Sequence, residues 1–115
     1  MKKKFCLALD LIDDEELIEK YKTHHAPGQV WPEIVQSIKE SGISNMEIFQ
    51  TGNRMFMIME VEEGFSFEKK AQMDTGNPVV QDWEELMWKF QKPLPWAKDR
   101  EKWVLMDKIF DLDEQ

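Results

Sequence analysis

The chain has 115 residues, 42% of them apolar, which suffices for one domain, 1–115, with its own core and is too apolar for a disordered segment. A net charge of −8, with basic residues scattered apart from Lys2 to Lys4, argues against nucleic acid as a partner. No apolar run is long enough to span a membrane, no secretory leader is evident, and the single cysteine, Cys6, permits no intrachain disulfide; together these point to a cytoplasmic protein.

Taken in chain order, Phe5, Leu7 and Leu9 alternate with Cys6, Ala8 and Asp10, a period of two that reads as a first strand over residues 3–11. "DDEELIEKYKTHH" follows with acids in its first turn, so it reads as a helix capped by Asp13 or Asp14. "APGQV" breaks that helix, and "WPEIVQSIKESG" starts another, with Pro32 at its first position and Gly42 at its end. "SNMEIFQ" and "RMFMIMEVE" are strands joined by a Gly-Asn hairpin turn. On the second of them Phe56, Ile58 and Glu60 take one face, and Met55, Met57, Met59 and Val61 the other. "SFEKKAQMD" is a third helix and "NPVVQDWEELMWKFQ" a fourth; "KPLPWAKDRE" is a loop, and "KWVLMDKIFDL" is a last strand. The order β, α, β, β, α, β, with each helical unit split, predicts an α+β fold, a ferredoxin-like split βαβ with an antiparallel sheet. One face of such a sheet stays open, which predicts a homodimer with sheets face to face.

The chemistry follows from what is present. Two adjacent histidines, His24 and His25, are the only ones; there is no CxxC, HxxxH or HExxH spacing, no phosphate-binding glycine loop and no GxSxG. That leaves general acid–base chemistry with no metal and no cofactor, and histidine suits it near neutral pH. Tyr21 stands at i−3 from His24 and i−4 from His25, so periodicity does not choose between the two. A histidine here also reads simply as a cation favoured at a helix C-terminus. Five tryptophans in so short a chain are core, interface or ligand wall.

Tyr21-x3-His25, followed by Trp31-Pro-Glu, "SGISNMEIF", "NRMFMIMEVE" and "VVQDWEELM" in that order, resembles the L-rhamnose mutarotase family. The resemblance implies a dimeric α/β-barrel and a cofactor-free isomerase that exchanges the α and β anomers of a 6-deoxy sugar. It implies that His25 is the general acid/base and Tyr21 its neighbour on the same helix, with Trp83 in an aromatic pair of the fourth helix. Where the family has a second tryptophan this chain has Glu84, and where it has a tyrosine in the second strand this chain has Phe49. The implied substrate is L-rhamnose, with L-fucose as the alternative. Trp31 and Trp83 are expected to wall the sugar, Glu47, Asn53 and Gln50 to read its hydroxyls, and Trp88 to pack in the core. Trp96 and Trp103 are assigned to a dimer contact or a lid. An alternative of another class is a non-catalytic ligand-binding module on the same architecture.

Overall fold

A computed structural model describes residues 3–115. Strand β1 (Lys3–Leu11) leads to α1 (Glu15–His24) and α2 (Pro32–Glu40). The hairpin β2 (Ile43–Thr51) and β3 (Arg54–Val61) follows, then α3 (Phe67–Thr75) and α4 (Pro78–Trp88). Two short strands, β4 (Gln91–Lys92) and β5 (Val104–Leu105), close the sheet. The sheet order is β2-β3-β1-β4, with β5 also on β1 and every pairing antiparallel. This is the split βαβ arrangement expected from the pattern.

Local chemistry fixes the ends. Asp14, not Asp13, caps α1 by accepting from the Leu17 amide at 3.0 Å. Ser66 and Asn77 cap α3 and α4 in the same way, and Pro32 and Pro78 open α2 and α4, where the missing N–H has no helical partner to lose. Gly52 has φ +56 at the first central position of the β2–β3 turn, which a type II′ turn requires.

The alternation predicted for β3 holds: Met55, Met57, Met59 and Val61 are all buried. With Leu7, Leu9 and Leu11 of β1 they face the helices, which contribute Tyr21, Ile34, Val80, Trp83 and Met87. Each such aliphatic side chain taken fully from water stabilises the fold by about 1.5–3 kcal/mol. The opposite sheet face carries Cys6, Ala8, Phe56, Ile58 and Phe49. Asp10 and Arg54 meet there in a two-pronged ion pair at 2.7 and 3.1 Å.

The last part of the chain departs from expectation. The fourth helix stops at Trp88 rather than running through Gln91, because Lys92 precedes Pro93 and is driven to extended backbone. Gln91 and Lys92 instead pair with Leu11 and Asp10. The expected long final strand is reduced to Val104–Leu105, paired with Ala8 and Leu7. One more residue, Met106, still bonds β1 through the Cys6 carbonyl. Beyond it Ile109, Phe110 and Leu112 are exposed, since one chain gives their alternating apolar side chains nothing to bury against.

Candidate functional site

A cavity of about 570 Å³ opens between the helices and the Met-lined sheet face. That is the size range of small-molecule sites, and its wall is mostly apolar with a few polar groups. Tyr21, His25, Trp83, Glu84, Gln91 and Lys102 are among the residues that line it.

His25 is the residue that ends α1, and its backbone N–H caps Lys22 and Thr23. Its ring Nδ1 lies 2.8 Å from the Tyr21 carbonyl oxygen. A carbonyl only accepts, so Nδ1 carries the hydrogen and the neutral ring keeps its lone pair on Nε2. The bond to the Tyr21 carbonyl thus fixes the tautomer of the residue that ends the helix. Burial pulls the His25 pKa below its ordinary 6.5; the Tyr21 carbonyl pushes it up, and the neighbouring His24 lowers it again. The imidazole is thus neutral at pH 7. His24 turns to Phe90 instead, with ring centroids 5.5 Å apart, and is not among the cavity-lining residues.

Tyr21 is buried, and its ring stacks on His25 at 4.2 Å. Its hydroxyl accepts from Gln91 Nε2 at 3.0 Å. Burial pushes its pKa up to about 12, against the opposing effect of that hydrogen bond, so it stays a phenol. Trp83 meets His25 edge to face at 5.6 Å and Trp31 at 5.1 Å. Trp31 buttresses Trp83 from behind rather than lining the hollow.

Glu47 pairs with Ile58, on the sheet face turned away from the cavity, and is exposed. Asn53 sits in the hairpin turn and donates to the Leu11 carbonyl at 3.2 Å. Gln50 bonds the turn at Gly52. The structure therefore brings Tyr21, His25 and Trp83 together and leaves Glu47, Asn53 and Gln50 elsewhere. Trp103 lines the cavity, whereas Trp96 covers Arg54 at 5.4 Å beyond it. Trp88 is over one-third exposed, with the Lys102 ammonium 4.6 Å above its ring.

Gln91 and Lys102 are polar residues of the site that the sequence pattern did not single out. Gln91 reads as the tail of a helix, and Lys102 as the polar start of a strand. The one signal available for Gln91 was Pro93, which ends the helix early and turns Gln91 inward on β4. Burial lowers the Lys102 pKa, and the nearby Glu84 carboxylate raises it. Among the described residues no three His, Cys, Asp or Glu side chains gather as a metal-binding set, and no helix is long and apolar enough to cross a membrane.

Comparison with known proteins places this geometry. The sequence profile of L-rhamnose mutarotase matches residues 4–112. An L-fucose mutarotase of Xanthomonas campestris is 46% identical over 96% of this chain and 89% of its own length. An L-rhamnose mutarotase of Oceanobacillus iheyensis is 28% identical over 83% of this chain and 86% of its own. The crystal structure of an L-rhamnose mutarotase from Formosa agariphila superposes with a TM-score of 0.69 at 21% identity, covering 96% of this chain and 98% of that one. Tetracenomycin F2 cyclase of Streptomyces glaucescens shares the fold alone, with a TM-score of 0.63 at 14% identity over 95% of each chain. On the strength of the profile match and the 46% identity, this chain belongs to the L-rhamnose mutarotase family.

Proposed function

We propose that this protein is a mutarotase that interconverts the α and β anomers of a 6-deoxyhexose, with L-fucose preferred over L-rhamnose. The neutral His25 imidazole, its free Nε2 in a cavity walled by Trp83, is the observation that carries the reading. Ring opening needs one group to take the proton of the anomeric hydroxyl and another to protonate the ring oxygen. The open aldehyde then turns about its C1–C2 bond, and the same proton transfers in reverse close the ring on the other carbonyl face. His25 is the acid/base and Tyr21 stands beside it. A positioned proton-transfer group of this kind contributes about 10²–10⁴-fold, which is enough for a reaction that already runs in water. The 6-methyl group and the sugar's C–H face would rest on Trp83 and the methionines of β3. The 46% identity to an L-fucose mutarotase favours L-fucose, as does Glu84 at a position where the family resemblance implies an aromatic ring. The profile match keeps L-rhamnose as the second substrate. Saturation-transfer NMR on both sugars tests this: the reading requires faster anomer exchange with protein present, and no acceleration of either sugar would refute it.

We further propose a single mutarotase domain over 1–115, a homodimer and a cytoplasmic location. The open sheet face with Phe49, Phe56 and Ile58, together with the exposed Ile109, Phe110 and Leu112, supports the dimer, since a second copy would bury both sets. The lone, unpaired Cys6 supports a reducing compartment.

A further inference from the structure

Gln91 is 6% exposed, faces the cavity and spends one amide N–H on the Tyr21 hydroxyl. Its Oε1 is buried with no hydrogen-bond partner among the described residues. Strand β4 fixes the residue by pairing it with Leu11, whose side chain is fully enclosed. A buried amide carbonyl without a partner costs about 1–3 kcal/mol, so such an arrangement calls for an explanation. The polarity of the bond supplies one. A phenol oxygen that accepts from an N–H must direct its own O–H elsewhere, and Tyr21 lines the cavity. The opposite orientation of the amide would leave both of its N–H groups without this partner, where the present one leaves the carbonyl and a single N–H, and orphaned N–H groups are the rarer kind.

We infer that Gln91 is a positioning residue: its amide N–H holds the Tyr21 oxygen so that the Tyr21 O–H points at the bound sugar, which makes Tyr21 the acid that protonates the ring oxygen while His25 Nε2 takes the anomeric proton. In the forward step the anomeric O–H bond breaks toward Nε2 and the C1–O5 bond breaks. The phenol proton passes to O5, leaving imidazolium and a phenolate to which the Gln91 N–H donates. Ring closure returns both protons. The inference rests on the mutarotase reading and adds to it the direction of the second proton.

Two substitutions separate this from a packing role. Q91M keeps the volume and removes the donor. Q91E offers the phenol an acceptor-only carboxylate, which would draw the O–H away from the sugar. At neutral pH, kcat should fall about tenfold in Q91M, for one lost hydrogen bond, and about 10²–10³-fold in Q91E, for a misdirected donor. The introduced carboxyl is buried, so it protonates well above the usual carboxylate range and regains an O–H donor. The Q91E to wild-type rate ratio should therefore rise as pH falls, while the Q91M ratio stays flat. Tyr21 is the only tyrosine in the chain, so its ¹³Cζ NMR resonance reports the bond directly, without any turnover. In Q91E at neutral pH that resonance should move toward the phenolate position, and in Q91M it should not. If the resonance is the same in all three proteins, or both rate ratios are flat and follow lost thermal stability, the inference is overturned. If the wild type accelerates no sugar yet the resonances move as stated, the placement of the phenol proton stands and the mutarotase reading fails instead.

Discussion

Tyr21→Phe probes the buried hydrogen bond at the heart of the site. Tyr21 is 4% exposed, and its hydroxyl accepts from Gln91 Nε2 at 3.0 Å. Removing the oxygen changes little volume, since Phe fills the same place against His25 and Phe90. It does leave Gln91, whose Oε1 already lacks a partner among the described residues, with its Nε2 bond gone as well. A buried donor stripped of its acceptor costs about 1–3 kcal/mol. With a urea m-value of about 1–3 kcal/mol/M, the unfolding midpoint should drop by roughly 1 M with the slope unchanged. Tryptophan fluorescence reports the transition, because Trp83 and Trp31 sit in the same cluster. The double variant Tyr21→Phe, Gln91→Met removes every polar atom of the pair. It should recover most of the loss, giving a coupling of about 1 kcal/mol or more in the cycle. A Tyr21→Phe protein as stable as wild type, or a double variant whose loss is the sum of the two singles, would refute the reasoning.

The pH dependence follows from His25. Its folded pKa lies below 6.5, so the neutral, active imidazole persists through neutral pH and the anomer-exchange rate should fall only on the acid side, below pH 6.5. In stability the His25 contribution is complete above 6.5 and is lost as pH falls from there through the folded pKa, because the unfolded chain takes up the proton first. A rate limb above pH 7 that vanishes in His25→Asn would contradict this. Lys102→Met should weaken sugar binding by about tenfold or more, seen as a raised KM, because it removes a charged donor from the cavity wall; an unchanged KM would exclude Lys102 from hydroxyl recognition. Phe56→Glu places a charge on the open sheet face and should convert the proposed homodimer to a monomer in analytical ultracentrifugation; a wild type that already sediments as a monomer would refute the proposed dimer.

Periodicity made most of the architecture legible. Alternation in β3 grouped Met55, Met57, Met59 and Val61 on one face, which the structure buries, and capping residues with Pro32 and Pro78 placed the helix starts. The edge beside β1 was illegible for a physical reason: β4 and β5 are two residues each, too short to carry a period, and are held by pairing with a distant strand. The same limit applied to the site. Tyr21 and His25 share a helix, so spacing exposed them, although spacing could not choose His25 over His24. That choice depends on which ring reaches the Tyr21 carbonyl and which packs on Phe90. Glu47 and Asn53 are polar residues on or beside a strand of the right sheet, but register decides the face, and register turned Glu47 away from the hollow. Gln91 reaches the cavity from seventy positions along the chain, where local pattern carries no information.

The most direct measurement is anomer exchange of L-fucose followed by saturation-transfer NMR with wild type, His25→Ala and His24→Ala at matched concentrations and confirmed folding. A neutral imidazole at His25 as the proton carrier requires acceleration by the wild type, loss of about 10²-fold or more in His25→Ala, and a near-normal rate in His24→Ala. Full activity in His25→Ala, or loss confined to His24→Ala, would contradict it.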